Sequence, residues 1–165
     1  TSPTENFLKS PTCTADDIEA CKKLAKLAGI DIEEYGRAMF KAGSNIESRT
    51  PKDLFNRDFK KFSVGDVVIG VGQVNCMEQE EVQNIKVKMK DYISTVTGDN
   101  GMDMVFFMIT NVLDGGSEVL CSGKNASATI SQAFNVGTTD DSVYLDGVVS
   151  RKKQMLPAIM EALQQ

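Results

Sequence analysis

The sequence predicts a single α/β domain in which helices pack on a mixed β-sheet of about five strands. Three observations support this prediction: amphipathic segments that begin at capping residues, short apolar runs bounded by turn residues, and one continuous apolar run over 104–109. The chain has 165 residues, of which 41% are apolar and 25% are charged, so it has the size and composition of one globular domain.

The first half of the chain changes from helices to strands. Thr14 and Asp31 each stand at an N-cap position before an amphipathic run, and Thr50 does the same before Pro51. Gly65 lies in a turn between two short apolar runs, which indicates a hairpin. The predicted elements are therefore helices over 14–29, 31–43 and about 50–56, strands over 59–63 and 67–75, and a long helix over about 82–98.

The second half is predicted to complete the sheet. The run Met104 to Ile109 has no polar position, which indicates a strand at the centre of the sheet. Turn residues over 114–117 allow the strand that begins at Glu118 to return antiparallel beside it. The remaining predicted elements are a helix over 126–134, one or two short strands over 143–149 and a C-terminal helix over 154–163.

The first 13 residues contain Pro3, Pro11 and several Ser and Thr residues but no apolar period. This pattern predicts an interdomain linker remnant over 1–13, followed by the folded domain over 14–165. Because the sequence starts at Thr1 rather than at Met, we expect it to be a processed or excised piece of a longer protein.

The net charge of -5 and the absence of a broad basic stretch argue against nucleic acid or anionic membrane as a partner. The sequence has no apolar run near the ~20 residues that a membrane span needs, and its start lacks the pattern of a signal peptide. We therefore predict a cytoplasmic protein.

The chain has no histidine, which excludes a Ser-His-Asp or Cys-His catalytic group and any histidine-based metal site. Its four cysteines are scattered without a Cys-x-x-Cys pair, so neither a zinc site nor a disulfide framework is indicated. Paired acids such as Asp16-Asp17 are explained by the dipoles of the helices that they begin. We expect no catalytic residue and no metal ligand in this sequence.

The cluster Ser150-Arg151-Lys152-Lys153-Gln154 lies between a predicted strand and the last predicted helix, with Ser150 as a candidate N-cap. Three cations in a first helical turn oppose the helix dipole, and an anion bound there would remove the conflict. A guanidinium and one or two ammonium groups beside free amides form a phosphate site. A solvated basic turn or a partner-binding patch explains the same cluster.

Lys41 lies in the last turn of the second predicted helix, just before Ala42 and Gly43. A cation at that end is favourable to the helix dipole, and the residues alone indicate no further role for it.

Four stretches form an ordered set of motifs: Lys9 to Thr14, Tyr35 to Gly43 with Lys41-Ala42-Gly43, Gln73-Val74-Asn75, and Gly147 to Gln154. Together they resemble the C-terminal, DHH-associated domain of the family II, manganese-dependent inorganic pyrophosphatases. The resemblance spans nearly the whole chain, and the motif with Ser-Arg-Lys-Lys-Gln is its most specific part.

In that family an N-terminal DHH domain holds the metals on histidines and aspartates, and the C-terminal domain closes over pyrophosphate with basic side chains. The resemblance therefore implies that Arg151, Lys152 and Lys41 contact phosphate oxygens, with Ser150 and Lys153 as secondary candidates. It implies that manganese, or cobalt or magnesium, belongs to an N-terminal domain outside this sequence. The implied partners are pyrophosphate or phosphate and that DHH domain, and the isolated chain is expected to be inactive.

Two departures from the family pattern stand out. The aspartate-containing metal-ligand motif usual before Lys-Ser-Pro-Thr is replaced by Thr1-Ser2-Pro3-Thr4-Glu5, so we expect no metal here, and the usual Thr-Asp is Thr110-Asn111. Two rival functions remain open. One is the same domain in an exopolyphosphatase or another DHH phosphoesterase, and the other is a non-catalytic anion-binding or interaction module.

Overall fold

A computed structural model describes residues 13–43, 46 and 48–164. The predicted fold class is confirmed, because five strands form one mixed sheet with helices packed on it. The elements in chain order are α1 (Ala15–Ala28), α2 (Ile32–Gly43), α3 (Pro51–Arg57), β1 (Phe59–Val64), β2 (Val67–Cys76), α4 (Gln79–Asp99), β3 (Met104–Asn111), β4 (Gly116–Gly123), α5 (Ala126–Phe134), β5 (Ser142–Asp146), a π-helical turn (Arg151–Met155) and α6 (Leu156–Gln164). Except for Cys13, the predicted linker over 1–13 and most of the motif Lys9 to Thr14 lie outside the described residues.

The predicted caps form as the sequence indicates. The hydroxyl of Thr14 accepts from the amide of Asp17 at 3.2 Å, and the Asp17 carboxylate accepts from the Thr14 amide at 2.8 Å. This backbone hydrogen bond is the main reason that the pKa of Asp17 is lowered. Gly29 ends α1 with φ +65°, a conformation that glycine adopts without steric cost.

The strands lie in the order β1-β2-β3-β4-β5. The pairs β1/β2, β3/β4 and β4/β5 are antiparallel, so the predicted hairpin and the predicted antiparallel return beside β3 are confirmed. Strands β2 and β3 are parallel, joined by the 21-residue helix α4, and their carboxyl ends meet at one edge of the sheet, with Cys76 beside Asn111. Ligands of open α/β sheets bind at such edges.

The central strand β3 is buried at all eight positions, as its continuous apolar run predicts. Its side chains alternate between two cores. Val105 and Phe107 belong to the core formed with α3 and α4, whereas Phe106 and Met108 belong to the core formed with α5 and α6. Helices on both faces thus leave every residue of β3 at most 5% exposed. Full burial of each large apolar side chain contributes roughly 1.5–3 kcal/mol, so β3 anchors both layers.

Strand β2 contains Gly70 where the ring of Phe59 crosses it. A Cβ atom added at Gly70 would lie 2.6 Å from the Phe59 ring and 2.7 Å from the sulfur of Met102. This close packing explains a glycine within a buried strand. Among the helices of the described residues, none combines the length and the apolar character that a membrane span requires.

Candidate functional site

The basic cluster begins where the chain leaves the sheet. The prediction of strand over 143–149 is wrong in its second half, because β5 ends at Asp146 and Gly147 turns the chain with φ +71°. Residues 147–150 form a loop in which side chains, rather than a neighbouring strand, satisfy the backbone.

We expected the cations to lie in the first turn of an ordinary α-helix. They lie instead in the π-helical turn Arg151–Met155. The carbonyl of Ser150 accepts from the amides of both Gln154 and Met155, at 3.0 and 3.1 Å, and the bond to the fifth residue widens the turn. The expected cap is present, because the Ser150 hydroxyl accepts from the amide of Lys153 at 3.2 Å. Lys152 and Lys153 are exposed.

Gln154 closes the loop that precedes the turn. Its side-chain oxygen accepts from the amides of Val149 and Ser150, both at 3.0 Å, and its nitrogen donates to the carbonyl of Gly147 at 2.8 Å. Three backbone groups of the loop are therefore satisfied by one side chain. This arrangement fixes the direction in which the chain enters the basic turn.

A buried polar relay, formed by Gln73, Thr110 and Ser117, fastens the same loop to the sheet. The side-chain nitrogen of Gln73 donates to the Thr110 hydroxyl at 2.8 Å and to the carbonyl of Val149 at 2.9 Å. The hydroxyls of Thr110 and Ser117 are 2.8 Å apart, and Ser117 donates to the carbonyl of Val148 at 2.6 Å. Thr110 is only 2% exposed and Ser117 is fully buried, so the bonds of Ser117 to Thr110 and to Val148 form away from solvent.

Arg151 points back across the sheet edge to Asp58, the residue between α3 and β1. One of its terminal nitrogens, Nη1, donates to the Asp58 carboxylate at 2.8 Å and to the Asp58 carbonyl at 2.5 Å. The Arg151 side chain is only 12% exposed. The guanidinium is thus held at Asp58, whose carbonyl also accepts from the amide of Gln73 near the carboxyl end of β2.

Lys41 lies on α2, in the last turn of that helix. It is exposed and lines a cleft of about 360 Å³ with Arg37, Met77, Glu78 and Glu81, at the start of α4. No residue of the 150–154 segment lines this cleft. The structure therefore brings together Ser150, Arg151, Lys152 and Lys153 but does not show Lys41 joining them.

Asn111, the last residue of β3, organises the turn between β3 and β4. Its side-chain oxygen accepts from the amides of Leu113 and Asp114, at 2.9 and 3.3 Å, and its nitrogen donates to the Asp114 carboxylate at 2.7 Å. The local role of Asn111 is thus to hold the turn.

No group of three or more His, Cys, Asp or Glu side chains that could hold a metal occurs in the described ranges. Burial in apolar surroundings raises the pKa of the Cys76 and Cys121 thiols to about 12, which keeps them protonated and poor ligands. The residues that the structure describes do not fit a metal ion.

The sequence alone did not assign roles to Asp58, Gln73, Thr110, Ser117 or Gln154. A usable signal was present for Gln73 and Thr110, which are polar positions in otherwise apolar strand segments. Asp58 carries no such signal, because its partner Arg151 is 93 residues away in the chain.

Comparisons with known proteins agree with this architecture. A profile of the DHHA2 domain family matches residues 37–162. The manganese-dependent inorganic pyrophosphatase of Bacillus subtilis is 38% identical over 157 residues, which cover 95% of this chain and 50% of that protein. The cobalt-dependent inorganic pyrophosphatase of Clostridium perfringens is 37% identical over 157 residues, which cover 95% of this chain and 28% of that protein.

The fold is also similar to a crystal structure of a Methanococcus jannaschii protein assigned to the family II inorganic pyrophosphatases. The TM-score is 0.83 and the identity 36%, and the match covers 99% of this chain and 53% of that chain. The chain therefore spans about half of the length of the Bacillus and Methanococcus relatives and less of the Clostridium one.

Proposed function

Because this chain belongs to the DHHA2 domain family, we propose that it is the C-terminal, substrate-binding domain of a manganese-dependent inorganic pyrophosphatase. In this proposal Arg151, Lys152 and Lys41 bind phosphate oxygens of pyrophosphate, and Ser150 and Lys153 are secondary contacts. Residues 14–165 are the binding domain, and residues 1–13 link it to an N-terminal DHH domain.

The observation that carries the proposal is the fixed backbone around the basic turn. An anion site is effective when its donors are already oriented before the anion arrives, because ordering them on binding costs free energy. Gln154 and the buried polar relay provide that order here. The amides of Arg151 and Lys152, at the start of the turn, have no intrahelical acceptor, and the same turn carries a guanidinium able to bind phosphate in bidentate fashion.

In this proposal the two domains have different tasks. Metal ions, when bound by the DHH domain, activate a water and offset charge on the phosphoryl group. The residues of this chain bind and orient pyrophosphate and neutralise charge on its oxygens. By closing against the other domain they would exclude water from the site.

An NMR titration of the 165-residue chain with pyrophosphate tests the proposal. We expect weak, salt-sensitive binding, since half of a closing site offers charge without enclosure, and amide shifts centred on Ser150 to Gln154. The Arg151→Ala variant should lose these shifts. Shifts that occur only elsewhere, or that persist in the variant, would identify the basic cluster as a solvated turn and leave the interaction module as the better function.

An activity assay separates the domain from a complete enzyme. The chain alone with added manganese should not hydrolyse pyrophosphate, since its described residues do not fit a metal ion. A chimera that joins this chain to the N-terminal half of the Bacillus subtilis relative should hydrolyse it. Turnover by the purified chain alone would contradict the proposal, and a chimera that prefers longer polyphosphates would favour the exopolyphosphatase alternative.

A further inference from the structure

The position of Asp58 is fixed independently of its side chain. It is the C-cap of α3, just before β1, and its carbonyl accepts from the backbone amide of Gln73 at 3.1 Å as well as from Arg151. The Asp58 side chain is 51% exposed, whereas that of Arg151 is 12% exposed. A carboxylate on a rigid part of the sheet edge therefore holds a guanidinium that is mostly covered.

Both bonds from Arg151 to Asp58 use the same nitrogen, Nη1. The other terminal nitrogen, Nη2, and the Nε–H have no hydrogen-bond partner among the residues that the structure describes. Together Nη2 and Nε form one edge of the guanidinium fork, which matches two oxygens of a phosphate. The pairing with Asp58 thus uses Nη1 only and leaves Nη2 and Nε available for a phosphate.

We propose that Asp58 is a positioning residue, which holds Arg151 through Nη1 so that its Nη2 and Nε edge is presented to a phosphate group of the substrate. This inference rests on the proposed function, because it concerns how Arg151 acts there. Asp58 itself does not touch the anion. Its benefit is that the long arginine side chain loses its rotational freedom before binding rather than during it.

The negative charge of Asp58 acts in the opposite direction, because a carboxylate near an anion site repels the anion. This repulsion is reduced by solvent, since the carboxylate is half exposed. Substitutions separate the two effects. Asp58→Asn removes the charge but keeps an oxygen that accepts from Nη1, whereas Asp58→Ala removes both and leaves only the carbonyl contact.

Isothermal titration of the 165-residue chain with pyrophosphate tests the proposal. We expect Asp58→Ala to weaken binding about tenfold and Asp58→Asn to stay within about threefold of the unsubstituted chain. The matched control is Glu19→Ala, which removes the acidic partner of Lys23 from an exposed ion pair on α1 and should leave the affinity unchanged. Circular dichroism confirms that each variant is folded.

A second measurement needs no variant. In the free chain the Nη1 hydrogens of Arg151 should exchange with solvent more slowly than those of exposed Arg37, because Nη1 is hydrogen-bonded to Asp58. Equal exchange rates would overturn the inference even if Asp58→Ala does not fold.

The outcomes also distinguish this inference from the proposed function. If the unsubstituted chain shows no binding that depends on Arg151, both fail. If binding depends on Arg151 but Asp58→Ala binds within threefold of the original, only the positioning role fails. It fails also if Asp58→Asn loses as much affinity as Asp58→Ala, since an acceptor oxygen at that position should suffice.

Discussion

The side-chain nitrogen of Gln73 donates to the carbonyl of Val149 at 2.9 Å across 76 positions of the chain. Gln73 belongs to β2 near its carboxyl end, and Val149 immediately precedes Ser150 and the basic turn. The bond joins the parallel part of the sheet to the loop that carries the proposed phosphate contacts. Folding of the sheet thereby sets the position of that loop.

Removing the hydroxyl of Ser117 should destabilise the chain. In Ser117→Ala the carbonyl of Val148 and the hydroxyl of Thr110 each lose a partner in a fully buried place. An unsatisfied buried polar group costs about 1–3 kcal/mol, and we expect a loss of that size in the free energy of unfolding, measured with urea.

The matched control is Ser94→Ala, which removes an exposed hydroxyl from α4 and should change the stability by less than about 0.5 kcal/mol. Equal stabilities of the two variants would show that the buried polar relay contributes nothing to the fold.

Arg151→Lys should weaken pyrophosphate binding about tenfold although the charge is kept, because an ammonium cannot bind two phosphate oxygens in the planar geometry of a guanidinium. Arg57→Lys, an equivalent change on the exposed end of α3, is the control and should bind like the original chain. Isothermal titration at two salt concentrations is the measurement. Unchanged affinity of Arg151→Lys would mean that Arg151 acts as a point charge.

Two glycine substitutions should change stability in opposite directions. Gly70→Ala places a methyl group 2.6 Å from the Phe59 ring, and such overpacking costs about 1–3 kcal/mol. Gly98→Ala adds a methyl group in α4 with no atom within 4 Å, where alanine is favoured over glycine by roughly 0.5–1 kcal/mol. Thermal unfolding of both variants is the measurement, and a stabilised Gly70→Ala would contradict the packing of β1 on β2.

The buried thiols should make stability fall at alkaline pH. Burial raises the pKa of Cys76 and Cys121 from 9.0 to about 12, so the native state keeps protons that the unfolded chain releases. Their contribution is complete below pH 9 and is lost as the pH rises from about 9 towards about 12. Urea unfolding at pH 8 and pH 10.5 measures the loss.

A Cys76→Ala/Cys121→Ala double variant should show a smaller loss between these two pH values. A pH dependence identical to that of the original chain would show that the thiols do not titrate in this way. The burial of Cys76 and Cys121 also predicts that iodoacetamide at pH 8 modifies half-buried Cys13 and Cys21 before them.

Local chemistry was sufficient to predict most of the elements. The caps at Thr14, Asp31 and Thr50 and the turn at Gly65 depend on residues within a few positions of one another, and each forms as expected. The continuous apolar run of β3 likewise predicts its central place. Such features are determined by residues that are close together in the sequence.

The structure differs from the predictions where contacts between residues distant in the sequence decide the conformation. Val148 and Val149 are apolar and β-branched, which favours a strand, but their carbonyls bond to Ser117 and Gln73 instead of to a strand. The pairing of Arg151 with Asp58 depends on how the completed sheet brings distant residues together. For Lys41, the role implied by the family resemblance stays a prediction, because no residue of the basic turn lines the cleft at Lys41.

The π-helical turn sets the direction in which the side chains of the basic cluster project from the helix axis. In an α-helix each residue advances about 100° around the axis, so the additional residue in Arg151–Met155 sets the angle between the cations and the buried side chains of Met155 and Ile159. Deleting one residue from this turn would let it close as an ordinary helix. Because Ile159 stays anchored in the core, the rotation would fall on the residues before it, and Arg151 would lose its alignment with Asp58. The direction of the charged side chains therefore depends on the number of residues in this turn as well as on their type.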